Sequence, residues 1–244
     1  MCEIRPVEVN QRDLVDKVLA RYPEEFTVFR ELLQNADDAG AENFTIVFQA
    51  SHRYASNGTK PDLSSVKVCK WLVRNDGAPF QDPDWGRLTK IAEGNPDERK
   101  IGAFGVGFFS VFSVTDKPIV KSNGKMVSIY YEGDKLYVKK EEIIRDSNNC
   151  TVIEMELKQT STIPRIFELT RFLVTSMTFL ARIQCITISL DDTELSRLTK
   201  TRNKGQSIVI PEHMVRRSPG DTMTVASVKL ICWYLSRLSK STQL

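Results

Sequence analysis

The residues best suited to chemistry lie near the N-terminus, in Glu31-Leu32-Leu33-Gln34-Asn35-Ala36-Asp37-Asp38-Ala39-Gly40. Read as a helix, this stretch puts Phe29, Leu32, Leu33 and Ala36 on one apolar face, at i, i+3, i+4 and i+7. Glu31, Asn35 and Asp38 then stack on roughly the opposite side. No Lys or Arg follows until Arg53. Glu31 and Asn35 offer hard oxygen atoms of the kind used by Mg²⁺ and by a base that activates water. A solvated polar face is the plainer reading of the same pattern. Gly40 stands where a helix would end in a left-handed residue.

Two further polar clusters follow. Arg74-Asn75-Asp76-Gly77-Ala78-Pro79-Phe80 comes directly after an apolar strand pattern over 66–73. A carboxylate at a strand's carboxyl end stands where ligands of open α/β sheets sit, and Gly77 permits close approach to a planar ligand. Asn-Asp-Gly is equally a good turn. Next, Gly102-Ala103-Phe104-Gly105-Val106-Gly107-Phe108 leads into the apolar run Phe109-Ser110-Val111-Phe112. Glycines before an apolar helix can offer backbone N–H groups to phosphate oxygens, and Lys100 adds a positive charge. The motif lacks the ending of a P-loop and the spacing of the dinucleotide fingerprint.

The elements that must carry these clusters can be read from periodicity. Helices are expected over 13–20, from residue 24 or 25 to Gly40, over 84–92 with Asp84 as cap, and over 163–182. Strands are expected over 44–49, 66–73, 119–121, 126–131, 135–139, 151–157, 183–190, 208–210 and 223–235. Asn123-Gly124 and Glu132-Gly133-Asp134 read as hairpin turns. Asp191-Asp192 begins a turn or short helix, and residues 52–65 form a loop.

Composition narrows the function. At 244 residues, 41% hydrophobic and 27% charged, the chain suits one large domain with a smaller extension. A net charge of +3 gives no argument for nucleic acid. No apolar run approaches the length of a membrane span. The five cysteines show no metal-ligand spacing, which suits a reducing cytoplasm or nucleus. With only two histidines, His52 and His213, a histidine-based hydrolase is a poor fit.

Together the three clusters resemble the ATP-binding superfamily of gyrase B, heat-shock chaperones, histidine kinases and MutL (GHKL). Residues 102–114 resemble the chaperones' glycine box, and residues 22–41 resemble the sacsin-like N-terminal ATPase domains most. Asn75-Asp76 and Asp84-Trp85 point the same way. The likeness covers residues 11–157 and fades through 160–190. It implies an α/β two-layer sandwich, with helices on one face of a mixed, mainly antiparallel sheet. The ATP-binding domain would span 1–200. Residues 201–244 would complete the sheet or start a following domain.

The resemblance also implies roles. Glu31 would be the general base, and Asn35 would hold Mg²⁺ through its side-chain oxygen. Asp38 would lie near the base or sugar of ATP or ADP. Gly102, Phe104, Gly105, Val106, Gly107 and Phe108 would surround the phosphates, with Lys100 beside them, and Gly77 and Thr151 would flank the adenine. A strict alignment sets Asn75 at the adenine position. Asp76 is preferred, because a carboxylate accepts from an amine in either orientation. Cys150 stands where the family usually has glycine, and the lid segment 93–100 is short. The function implied is a weak, Mg-dependent ATPase of chaperone type, part of a larger protein. Lid closure would be its switch, and client proteins or following domains its partners. A non-hydrolysing scaffold is the alternative.

Overall fold

Strand alternation explains most of the sheet. In β1 (Asn43–Ala50), Phe44, Ile46 and Phe48 are buried on one face. In β2 (Lys67–Asn75), Trp71, Val73 and Asn75 are buried on the same face. A computed structural model describes residues 10–20, 26–52, 63–90, 107–145, 149–209, 222–225 and 228–234. The expectations for residues 93–100 and Gly102 to Val106 lie outside these.

The remaining strands are β3 (Ile119–Ser122), β4 (Lys125–Glu132), β5 (Lys135–Glu142), β6 (Thr151–Thr162), β7 (Cys185–Leu190) and β8 (Thr193–Arg202), followed by β9 (Gln206–Val209), β10 (Thr222–Val225) and β11 (Val228–Tyr234). Among the described residues, nine strands form one sheet in the order β11-β8-β7-β1-β2-β6-β3-β4-β5. β1 and β7 run parallel; the other described pairings are antiparallel. β9 and β10 pair separately. The fold is thus α/β, with a large mixed, mostly antiparallel open sheet.

Helices α1 (Gln11–Leu19), α2 (Thr27–Asp38), α4 (Ile166–Met177) and a 3₁₀ helix (Gly107–Ser113) share one side of the sheet. Phe29 of α2 stacks on Trp71 at 4.8 Å and meets Phe48 edge-on at 6.1 Å. Phe26 packs on Phe172 of α4, and Phe112 on Tyr131 of β4. Each such aromatic pair adds about 0.5–1.5 kcal/mol beyond its area. Gly40 takes φ +79°, with Ala41 N–H donating to Ala36 and Gly40 N–H to Asp37. These are the two bonds of a Schellman ending.

Several elements differ from their expected form. The helix expected over 84–92 is α3 (Asp82–Leu88), because Asp84 sits inside its first turn and accepts from Gln81 N–H at 2.8 Å. The helix expected over 163–182 is confined to α4, since residues 178–183 turn back toward α2. The apolar run after the glycines is 3₁₀, not α. Residues 193–202, for which no element was expected, form β8. Asp191 (φ +47°) begins the tight turn into it and accepts from Ala50 N–H at 3.1 Å. β11 pairs with β8 along Val228↔Arg202 to Tyr234↔Ser196, so part of the 201–244 extension joins the main sheet.

Candidate functional site

Helix α2 is the spine of the site. Its apolar stripe is buried, with Phe29 and Leu33 0% exposed. Its C-terminal end is fixed by Asp37, one position from the Asp38 that the polar stripe singled out. The Asp37 carboxylate, 5% exposed, accepts from Ala181 N–H at 2.9 Å, Arg182 N–H at 2.7 Å and Ile183 N–H at 2.9 Å. Lys200 holds the same turn from the other side. Its Nζ donates to the carbonyls of Met177 (3.2 Å) and Leu180 (2.8 Å), the open C-terminal end of α4. Burial, and then the neighbouring Arg202, lower the Lys200 pKa, while Asp37 opposes the shift. Spacing alone gave no signal for either residue, because their partners are remote in sequence.

The strand-end turn docks on the same end of α2. Ala78 N–H donates to Ala39 O at 2.8 Å. A Cβ on Gly77 would come within 2.9 Å of Ala39 Cβ and 3.1 Å of both Ala39 O and Asn75 Oδ1. Glycine is therefore required here by close approach.

Asn75 and Asp76 point to opposite sides of the strand, as alternation demands. Asp76 is exposed. Its Oδ1 accepts from Glu42 N–H and Asn43 N–H, both at 2.9 Å, and its Oδ2 from Asn43 Nδ2 at 2.6 Å. Burial acts to raise its pKa, but these hydrogen bonds outweigh burial and hold it below the ordinary aspartate value of 3.8. The carboxylate thus clasps the start of β1. Asn75 is 8% exposed, faces the helix layer and stands opposite Thr151 in the β2–β6 register. Its Oδ1 accepts from Gly77 N–H at 3.1 Å. Thr151 is 2% exposed, and its Oγ1 lies 2.8 Å from Ser122 Oγ, which accepts from Phe80 N–H at 3.0 Å. Ser122 is a member of this cluster that sequence reading missed. It joins through β3–β6 pairing, which the local pattern does not encode.

At the other end of α2, the 3₁₀ helix brings Gly107 against Glu31. A Cβ on Gly107 would fall on Glu31 Oε2, so the carboxylate occupies the space that glycine leaves open. Arg30 Nη2 lies 3.3 Å from Glu31 Oε1, and Arg30 Nε 3.4 Å from the same oxygen. Asn35 is exposed between the two ends, Asp38 is half-buried, and Phe108 packs partly against the core. Lys100, Gly102, Phe104, Gly105 and Val106 lie outside the described residues.

Among the described residues no group of three His, Cys, Asp or Glu could hold a metal. A Mg²⁺ here would take the Asn35 amide oxygen and draw its other oxygens from ligand phosphate and water, a coordination that suits this cation. The donor chemistry of the α2 face fits that arrangement. A separate cavity of about 710 Å³, lined by Trp71, Ser113, Lys158 and Arg165, lies toward the end of β6 away from Thr151. It lies apart from the polar face of α2. No helix of the described residues is long and apolar enough to cross a membrane.

The arrangement can be compared with known proteins. Human sacsin is 32% identical over 116 residues, which are 47% of this chain and 2% of that protein. The chain therefore spans a small fraction of this relative's length. A model of the Sacsin domain family matches residues 9–187, well over half of the chain, and the chain belongs to that family.

Proposed function

We propose that this domain binds a nucleoside triphosphate of the ATP class, with Mg²⁺, along α2 and hydrolyses it slowly. One observation carries the reading. The polar stripe of α2 meets the strand-end turn at Ala39 and, at Glu31, Gly107, the last glycine of the third cluster. From residue 31 to 39 a helix rises about 12 Å, comparable with an extended nucleotide from terminal phosphate to base.

In this reading Glu31 orients and deprotonates the attacking water beside Gly107. Asn35 presents its amide oxygen to the metal, whose role when bound is to neutralise phosphate charge. Phe108, together with Lys100, Gly102, Phe104, Gly105 and Val106, surrounds the phosphates. Asp38 lies near the sugar. The base end is closed by Gly77, Thr151 and Asn75. Asp76 supports that end indirectly, by tying the turn to β1. Closure of residues 93–100 over the nucleotide would be the switch, and a chaperone-like action on client proteins or following domains would be its output.

Calorimetric titration of MgATP into the 244-residue chain, with turnover followed by phosphate release, tests the proposal. Binding with slow turnover is expected. Glu31→Ala should keep binding and lose turnover. No heat from any nucleotide would overturn the proposal. A second reading, a nucleotide-binding scaffold without turnover, is favoured by the contact of Arg30 with Glu31. It expects no phosphate release from parent or variant.

A further inference from the structure

The two edges of the main sheet are finished differently. β5 carries Lys135, Lys139, Lys140, Glu141 and Glu142 along its length. Its start is also tied to α1: Gln11 Oε1 accepts from Leu136 N–H at 2.6 Å, and Gln11 N–H donates to Asp134 O at 3.1 Å. Charged side chains and a covering helix are the common guards of a sheet edge. β11, the opposite edge, lacks them. Lys229 is its only charge, it holds no proline, and its register with β8 runs without a bulge. Val228 is 43% exposed, Ile231 48% and Trp233 50%. Among the described residues no strand pairs with the outer side of β11.

The direction of its backbone groups follows from β8. Lys200 N–H donates to Gln184 O, on the β7 side, so the backbone groups of Arg197, Thr199 and Thr201 face β11. Their register partners Trp233, Ile231 and Lys229 face back toward β8. The Trp233 carbonyl accordingly accepts from Ser196 Oγ at 3.0 Å. Alternation leaves the N–H and C=O groups of Val228, Leu230 and Cys232 directed outward.

We propose that β11 pairs antiparallel with β11 of a second copy of this chain, about a two-fold axis at Ile231, joining the two sheets edge to edge. In that register Ile231 faces Ile231, Leu230 faces Cys232, and Lys229 faces Trp233. Leu230 and Cys232 exchange their outward backbone groups as a hydrogen-bonded pair, and Ile231 meets its copy as a closer, non-hydrogen-bonded pair. The single charge of the strand lies against an indole ring, and the two Lys229 ammonium groups stay apart. It is also the register that pairs all seven residues of β11. This complementarity of the strand to itself selects a second copy over an unrelated strand as the occupant. Seven residues a side are few beside the roughly 20–30 of a standard interface, so the dimer is weak and reversible. The inference is independent of the nucleotide reading.

Sedimentation velocity of the 244-residue chain, from low to high micromolar concentration, should show a monomer–dimer equilibrium. Ile231→Lys sets two ammonium groups face to face on the axis and should weaken the dimer about tenfold. A disulfide reads the register without relying on that variant. In a Cys232→Ser background, Ile231→Cys brings its sulfur opposite its own copy at a Cα separation of about 4.5 Å, within disulfide range. Mild oxidation should then give a covalent dimer. Lys229→Cys in the same background lies opposite Trp233 and should not crosslink. A parent that stays monomeric throughout, with no crosslink through Ile231→Cys, would overturn the inference. So would a dimer that Ile231→Lys leaves as tight as before, or equal crosslinking by the two cysteine variants.

Discussion

Replacing Asp37 should destabilise the domain more than any other single carboxylate change on α2. Its two oxygens take three N–H groups from residues 181–183. Each charge-assisted bond contributes about 1.5–3 kcal/mol, but three on one carboxylate do not add, and losing a buried charged partner costs about 3–5 kcal/mol. Asp37→Ala leaves all three donors unmet, so about 4 kcal/mol is expected. Asp37→Asn can keep Oδ1 on Arg182 and Ile183, but sets its NH₂ against Ala181 N–H, so about 2 kcal/mol is expected. For a domain of this size each kcal/mol lowers Tm by about 2–4 °C. Thermal and urea unfolding should therefore show a drop of about 8–16 °C for Asp37→Ala and about half that for Asp37→Asn. An Asp37→Asn protein as stable as the parent would refute the reasoning, because it would mean that the carboxylate does not hold the turn.

The two close-approach glycines should respond differently. Gly77→Ala meets Ala39 and its backbone carbonyl, which cannot easily yield, and should cost about 1–3 kcal/mol in urea unfolding. Gly107→Ala meets the flexible end of Glu31 and should cost under about 1 kcal/mol while displacing that carboxylate, a contrast that paired melts can check. Glu154 lies 2.6 Å from Lys121 and 3.4 Å from Lys70. Burial raises its pKa, but the two lysines prevail and hold it below the ordinary value of 4.5. A lowered carboxyl pKa gives stability that is present above the unfolded value and lost as pH falls through the folded one. The parent should thus lose stability below about pH 4.5 more steeply than Glu154→Gln, measured by urea unfolding across that range. Burial, then the nearby Asp16, push Tyr131 up to about 12 against the opposing Arg12. Absorbance titration should show a tyrosine ionising near pH 12, and Tyr131→Phe should remove that step. The stability tied to that raised value is present below pH 10 and lost as pH rises toward 12.

What could be read from the sequence followed local periodicity. Phe29, Leu32, Leu33 and Ala36 repeat at helical spacing, and each is buried under α2. Gly40 announced the helix end through its conformational freedom alone. β8 was hidden because Thr, Lys and Arg dominate it. Leu195 and Leu198 are three apart and so differ in strand parity, and the register shift at Leu195 lets both be buried. α4 stops where Asp37 and Lys200 hold the following turn, and both contacts arise from residues far away in the chain. The roles of Asn75 and Asp76 were closer to hand. Trp71, Val73 and Asn75 share strand parity, so the face of each polar residue was available from counting. Chemical preference for a carboxylate pointed to Asp76, while the pleat turns Asp76 toward Glu42 and Asn43. Ser122 could not be found locally, because its partner Thr151 is brought near by strand pairing.

The proposed nucleotide site is tested most directly by thermal unfolding of the 244-residue chain with saturating MgATP. Ligand at about 100 times Kd stabilises by about 2.7 kcal/mol, so Tm should rise by about 5–11 °C. Gly107→Val, which sets a branched side chain where the proposed site would meet the phosphates, should fold and show a smaller rise. An unchanged Tm of the parent with MgATP would contradict the assignment of the α2 face as a nucleotide site.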